Sequence, residues 1–373
     1  MSRAMTTATS HAESPGLWVL AWRRFRHDRV GLVSFDIVLF FVALMAASWT
    51  GLIASDWARE VGVSNAPPTF TGPKVASARL EHAAAPEPLR RDKSDESAAV
   101  DPLAGVLAEI RASRPPAAAD TEIVDPLADV LAEIRGRSGS ASADETRAAT
   151  LIFGGDKWGR DVLKKTIKGT ETSMFVGLAA AALAALLGTV FGALAGYYGR
   201  WIDDFFNWFY SVFTSIPYLL LILSIAAVLN QKGTMTVILI LGLTGWTGIF
   251  RLIRAEYMKH KVREYVQAAD AIGASHMRRM FVHIFPNVSH VVLVQLSLHV
   301  VLFIKSEVVL SFLGFGVGVD TVSWGSMLNE AQTELLLGNW WQLAAATAAM
   351  AMLVTAFGLL TDAWRDALDP KLK

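Results

Sequence analysis

The 373-residue chain contains no cysteine, so disulfides, thiolate metal sites and cysteine nucleophiles are excluded, and the redox compartment leaves no mark on the composition. It also lacks net charge, since 34 Lys and Arg balance 34 Asp and Glu. That balance supplies neither the basic footprint of a nucleic-acid-binding protein nor a polybasic membrane tether, so the placement of charges carries the information. The opening MSRAMTTATSHAESPG has no apolar run followed by a small-residue cleavage site. No secretory signal is expected there, and the first apolar segment is expected to act as the insertion signal.

Catalytic motifs are missing as well. There is no nucleophile elbow, no H-E-x-x-H and no paired-carboxylate constellation. The stretch GGDKWGRD, Gly154 to Asp161, approximates the phosphate-binding loop G-x-x-x-x-G-K-[ST]. Its chemistry is wrong: Arg160 stands where the phosphate-cradling lysine belongs, and Asp161 puts negative charge where a hydroxyl has to hold magnesium. No other glycine-rich loop of that form occurs, so the chain is not itself an ATPase. His276, His283 and His290 are spaced by seven, with His299 beyond, a step that returns to nearly the same helix face. Pro286 is expected to interrupt that helix, and no carboxylate is grouped with the histidines, so no metal site is assigned.

What the chain has is apolar surface. Hydrophobic residues make up 53% of it, the mean hydropathy is +0.38 and there are 12 tryptophans, more than an ordinary soluble domain of this length carries. A hydrocarbon core of about 30 Å needs roughly 20 apolar residues in a helix. Six segments approach that: Val30 to Ile53, Ser173 to Tyr197, Phe205 to Leu229, Thr234 to Ile253, Val288 to Phe312 and Trp341 to Leu360. Gly188, Gly192 and Gly196 in the second, and Gly242, Gly245 and Gly248 in the fourth, are small enough to let helix backbones approach closely. Asp36, Lys305 and Glu307 are ionisable residues at or near membrane depth; helix packing is expected for the last two, and Asp36 has no assigned role.

Arginines and lysines in short loops set the expected orientation. Arg23, Arg24, Arg26 and Arg29 precede the first span, and Arg251, Arg254, Lys259, Lys261, Arg263, Arg278 and Arg279 lie around the loop between the fourth and fifth. Gly314 to Asn339, between the fifth and sixth, has neither residue type. Both termini and the loop containing Glu264 are therefore expected in the cytoplasm. The large piece after the first span then lies outside it. There VDPLAGVLAEIR (100–111) recurs as VDPLADVLAEIR (124–135); two short amphipathic helices are expected, in an Ala-, Pro- and charge-rich setting with few aromatics, as a duplicated linker or as a docking element for an external partner or the membrane surface.

Between the fourth and fifth apolar runs lies the polar stretch EYVQAADAIGAS. As a helix from Glu264, it places Tyr265, Ala268, Ala269 and Ile272 on one face and Glu264, Gln267 and Asp270 on another. Gly273 is expected to end it, and Ser275 to cap a second helix, HMRRMFVHIF, that stops near Pro286.

YVQAADAIGASHMRRMFVHIFPN resembles the EAA-type motif of ABC importer permeases, in particular the oligopeptide, dipeptide and nickel branch, whose form is similar to YVxAARAxGAS followed by RHIxPN. GGDKWGRDVL resembles that branch's GTDxxGRDxx segment, SFLGFGVGVDTVSWGSML its SFLGxG and SWGxML region, and WRDALDPKLK its xRDxLDPxLR ending. The resemblance covers the first span and about Phe153 to the C-terminus. It departs at Asp270, where a basic residue is common, at Phe285 for leucine, and at Gln267 for the glutamate that names the motif.

The resemblance implies an all-α membrane protein with the six transmembrane helices of the type I ABC importer permease fold and a long, partly disordered extracytoplasmic insertion. The expected segments are a cytoplasmic 1–29, a first span 30–53, an extracytoplasmic loop 54–172 bearing the duplication, a five-helix core 173–361 that includes a cytoplasmic coupling loop 254–287, and a cytoplasmic tail 362–373. It implies that Glu264, Tyr265, Gln267, Ala268, Ala269, Asp270, Gly273, Ala274 and Ser275 contact an ATP-binding subunit, with Pro286 and Asn287 closing the element. Gly155, Asp156, Gly159, Arg160 and Asp161 belong to the family's extracytoplasmic motif. The implied partners are a second permease, two ATP-binding subunits, an extracytoplasmic solute-binding protein and membrane lipid, but no nucleic acid. The implied location is the bacterial inner membrane. ATP and magnesium would sit on the partners, with no cofactor on this chain. The implied cargo is di- or oligopeptides; a nickel complex or other small solute, or a receptor or scaffold role without transport, are the alternatives.

Overall fold

The computed structural model describes residues 22–72, 147–318 and 320–368. The duplicated segments 100–111 and 124–135 lie outside the described residues. Among the described residues the chain is helical, and the only extended pairing is a set of isolated bridges such as Glu60 with Arg160 and Gly155 with Asp161.

Helix α1 spans Arg29–Trp49 and is capped by Asp28, whose carboxylate accepts the Val30 N–H. Helix α2, Val162–Tyr198, begins at Asp161, which accepts from the N–H groups of Leu163 and Lys164. Its 37 residues form the axis of the bundle, about 55 Å long at 1.5 Å per residue. The expected start at Ser173 falls inside this helix, because its first turns carry Lys164, Lys165 and Lys168 and do not read as apolar.

The expected third span, Phe205 to Leu229, is two helices. α3 (Arg200–Thr214) and α4 (Tyr218–Leu229) meet at a bend of 82°. Pro217 explains the break: it has no N–H to continue the ladder, and its ring excludes helical backbone before it. The fourth span also has a break. α5 (Thr234–Thr244) gives way to α6 (Thr247–Lys261) across Gly245 and Trp246, and the pair continues well past Ile253. α7 (Glu264–Ala271) follows, then a turn of helix at His276–Arg278, a π-helical segment Arg279–Ile284 and α8 (Phe285–Phe312).

Pro286 therefore does not stop the helix, contrary to expectation. The widened π turn ahead of it pairs the Phe285 N–H with Met280 O, and the apolar rod runs on from His276 to Phe312. The segment Gly314 to Asn339 contains a helix that was not expected, α9 (Trp324–Leu336), with a capping box between Ser323 and Ser326. α10 (Trp341–Leu368) closes the bundle and packs along α1, where Phe25 stacks on Trp364. Five of these rods are long and apolar enough to cross a membrane, and the bent α3–α4 pair makes a sixth.

The glycine stripe of α2 sets the closest packing. A Cβ at Gly188 would lie 2.8 Å from Trp246 O, one at Gly192 2.9 Å from Phe250 O, and one at Gly196 2.5 Å from Arg254 O. Helix α6 lies so close that only glycine fits. Glu307 is fully buried between α2 and α8, where it accepts hydrogen bonds from Ser173 and Ser311, whereas Lys305 and Asp36 are exposed. Gly196→Ala is expected to destabilise the purified protein by about 1–3 kcal/mol through overpacking. Gly358→Ala, at a glycine with open space around it, is expected to cost nothing measurable. Thermal unfolding in detergent compares the two, and equal curves would contradict the close contact.

Candidate functional site

At the end of the bundle where α2 finishes, the polar stretch forms a short helix that stands clear of the rods. Arg263 O accepts from the N–H groups of Val266 and Gln267, and Gln267 Nε2 donates back to Val262 O. The helix ends in a Schellman turn: Gly273 N–H bonds to Asp270 O, Ala274 N–H to Ala269 O, and Gly273 has φ +82°. Ser275 Oγ accepts the Arg278 N–H and starts the next helical turn.

Of the face expected to hold Tyr265, Ala268, Ala269 and Ile272, only Ala269 turns inward. Val266 and Ala269 are buried, while Tyr265 and Ala268 are exposed and Ile272 is 84% exposed. Position 266 turns inward because it and Ala269 are three apart and meet the π segment. Of the residues assigned to the motif, Glu264, Tyr265, Gln267, Ala268, Asp270, Gly273, Ser275, Pro286 and Asn287 are exposed, Ala274 is half-buried and Ala269 is buried. Asp270, the departure from the common basic residue, pairs with Arg279 Nη1 at 2.5 Å.

Arg279 Nη2 lies 2.9 Å from His276 Nδ1, and Tyr197 Oη 3.0 Å from the same nitrogen. Tyr257 Oη donates to Met280 O in the π segment, and Asn287 Nδ2 to His283 O. The polar element is thus tied to the ends of α2 and α6 by Tyr197 and Tyr257. These anchors escaped the sequence reading, because a tyrosine ending an apolar run is indistinguishable there from an interfacial one. His276 serves in this network and His299 bonds to Gln295 O; among the described residues no three histidines and carboxylates gather as a metal site.

The GGDKWGRD segment occupies the opposite end of α2. Asp156 is fully buried: one oxygen accepts the N–H groups of Trp158 and Arg160 at 2.9 Å, and the other accepts from Lys165 Nζ at 2.8 Å. Lys165 is fully buried too and also pairs with Glu330 from α9, with Gln342 of α10 nearby. A buried cation is tolerable only when surrounded this way. Gly159 has φ +80°, and a Cβ there would lie 2.0 Å from Gly62 O, so the turn requires glycine. Gly155 O accepts from the Trp341 indole, and Asp161 caps α2. The motif therefore joins the segment after α1 to α2, α9 and α10. Lys165, Glu330, Glu334 and Gln342 were not read from the sequence. Their signal was two lysines opening an apolar helix and an acidic pair, Glu330 and Glu334, in an arginine-free segment.

Glu334 accepts the Lys157 N–H, and its second oxygen is buried with no partner among the described residues. Burial pushes its carboxyl from the ordinary 4.5 up to about 7.

A bundle of five or six apolar rods, with a capped polar helix–turn–helix at one end and a buried ion cluster at the other, is that of a multi-pass membrane protein. The chain belongs to the family described as binding-protein-dependent transport system inner membrane component, whose pattern matches residues 188–373. It is 38% identical over 221 residues to the dipeptide transport system permease protein DppC of Bacillus subtilis, covering 59% of this chain and 69% of the relative. It is 35% identical over 221 residues to the oligopeptide transport system permease protein OppC of the same organism, covering 59% and 72%. Against the dipeptide permease DppC of Haemophilus influenzae the identity is 34% over 222 residues, covering 60% and 75%. The chain is a transport component and not a catalyst.

Two outcomes are expected. Gly273→Ala meets no neighbouring atom, so its cost is conformational alone, about 1–2 kcal/mol, and Gly273→Asn costs less. Hydrogen exchange of amides 264–275 should speed up in that order, and unchanged exchange in the alanine variant would refute the assignment. For Glu334, a carboxyl that binds its proton more tightly folded than unfolded makes stability fall as pH rises from about 4.5 through about 7. Glu334→Gln should match the native protein at pH 5 and exceed it in thermal stability at pH 8; parallel melting-temperature profiles would show that Glu334 does not titrate this way.

Proposed function

We propose that the chain is a membrane-spanning permease subunit of an ATP-driven peptide importer, supplying half of a translocation pore. The relatives named for dipeptide and oligopeptide transport support the cargo class. The observation that carries the coupling role is the exposed helix–turn–helix. A helix held on the bundle by Val266 and Ala269 presents Ile272 to the outside at 84% exposure, with Tyr265, Ala268 and Met277 also exposed. An apolar side chain that protrudes from a turn held by hydrogen bonds suits a groove on another protein.

In this reading the Glu264 end faces the cytoplasm, in keeping with the arginines and lysines that flank it, and both termini lie on that side. The Asp156 end faces outward, toward a solute-binding protein. Two ATP-binding subunits carry ATP and magnesium, and a second permease completes the pore. ATP-driven closure of the nucleotide-binding pair acts on Glu264, Tyr265, Gln267, Ala268, Ala269, Asp270, Gly273, Ala274 and Ser275, and the bundle alternates between outward and inward openings. No observation favours a nickel complex or a scaffold without transport.

The test is Ile272→Glu in the full complex. The side chain supports nothing within the chain, so the fold should be unchanged while the ATP-binding subunits no longer copurify and ATP-dependent peptide uptake drops to background. Normal copurification together with full uptake would sink the coupling role, and a chain that never copurifies with an ATPase would sink the transporter reading.

A further inference from the structure

Arg160 is the member of the GGDKWGRD segment whose side chain the fold leaves uncommitted. Its guanidinium carbon lies 4.7 Å from the Trp158 ring centroid and 5.6 Å from that of Trp57, so it is held between two aromatic faces. Such stacking fixes the plane of the group without using its N–H donors. Among the described residues those donors meet no acceptor, and Nε is buried without a partner. The acids nearby are already engaged. Asp56 pairs with Lys164 at 2.7 Å, Glu60 with Arg147 at 2.6 Å, and Asp156 and Glu330 both with Lys165. A guanidinium left in this state lacks an anion.

Arg160 lines a cavity of about 330 Å³, within the range of small-ligand sites. Lys232, exposed and without an ion pair among the described residues, lines it too, as do Gly314, Gly316, Gly318 and Glu330. A second cavity of about 270 Å³ adjoins it, since Trp57, Thr321 and Val322 line both. The charge there is reversed: Asp320 and Glu171 accompany a single lysine, Lys168, which is paired with Glu171. One chamber sets two cations with free donors against a single carboxylate, Glu330, that Lys165 already engages, and its neighbour holds an excess of carboxylate.

We propose that these adjoining chambers form a waypoint for a zwitterionic peptide, with Arg160 and Lys232 receiving its C-terminal carboxylate and Asp320 facing its ammonium end. The inference rests on the peptide-importer reading and adds to it the chemical group that the permease itself recognises. The carboxylate is that of the transported peptide. Bidentate pairing of a planar guanidinium with a carboxylate supplies the recognition, and the two tryptophans accommodate side chains of varied shape against flat apolar walls.

The experiment uses the complete complex in proteoliposomes with its solute-binding protein, and compares uptake of dialanine with that of dialanine amide, each at a concentration that saturates the binding protein. The native complex is expected to transport the free acid faster. Arg160→Gln should reduce that preference about tenfold, as expected for loss of a charge-assisted hydrogen bond, while Arg160→Lys retains part of it. Lys232→Gln should reduce it less. If Arg160→Gln keeps the native preference, the waypoint is overturned. If it weakens docking of the binding protein and leaves the preference intact, the anion comes from that protein, and the substrate assignment is equally overturned. Should Arg160→Gln fail to assemble, Lys232→Gln decides: equal loss for acid and amide overturns the proposal, and selective loss for the acid supports it. A complex without this chain that still takes up dialanine defeats the peptide-importer reading itself, and the proposal with it.

Discussion

The close approach of α2 and α6 is the constraint on which the rest of the bundle depends. Because Gly188, Gly192 and Gly196 put no side chain between the helices, the backbone from Trp246, just before α6, to Arg254 within it lies directly on α2. Dispersion between two backbones at this distance does not rely on water being expelled, and so works equally well in lipid. Trp246, drawn against α2, then organises Phe191, Phe209, Phe213 and Phe250 around itself and brings α3 into place. Arg254 and Asp203 fasten α6 to α3 with two hydrogen bonds, at 2.5 and 2.6 Å. Tyr257, one turn further along α6, reaches the π segment. The helix–turn–helix is therefore positioned by the glycines of α2, although it touches none of them.

Polar groups in the interior follow a second rule: each important one is surrounded before it is buried. Glu307 has two serine donors, and Lys165 has Asp156, Glu330 and Gln342. Removing one partner from such a set leaves a buried charge without compensation, which costs more than the intact set contributes. The Lys165 cluster draws on four separate pieces of chain, the motif itself, α2, α9 and α10. It fixes their relative placement more than it adds stability. Arg160 and Glu334 stand apart from this rule: the partners of Arg160 are aromatic rings and its hydrogen-bonding edge is open, and one Glu334 oxygen is buried with no partner among the described residues.

Much of the architecture was legible in the sequence because apolar length and turn chemistry are local properties. The first and last spans follow from uninterrupted apolar runs, and Gly273 and Ser275 were readable because a left-handed terminus and an N-cap each require a narrow set of residues. The break at Pro217 was hidden because Ser215-Ile216-Pro217 sits inside a run whose hydropathy does not fall. Helix α9 was hidden because Trp324–Leu336 is amphipathic and too short to register as a span. Continuation through Pro286 depends on a shifted hydrogen-bond ladder, which no composition rule reports. The inward face at Val266 and Ala269 escaped for a different reason. On an eight-residue helix every face contains some small or apolar residue, and the neighbour decides which one is buried.

These breaks are distributed unevenly, and that has a mechanical consequence. Helix α2 runs unbroken from the Asp161 cap to Tyr198, so its two ends move as one body. Lys165 near one end and Tyr197 near the other are fixed points on the same rod. The interruptions lie elsewhere, at Pro217 between α3 and α4, at Gly245 and Trp246 between α5 and α6, and at the π segment before Pro286. At each of these the regular ladder is already incomplete, so bending there sacrifices fewer hydrogen bonds than bending within a rod. A push on the exposed turn at Ile272 enters the chain next to the π segment and, through His276 and Tyr197, at the end of the rigid axis. The element that would be grasped from outside is thus joined at once to a stiff lever and to a soft joint, which is what a bundle needs if it is to change shape without coming apart.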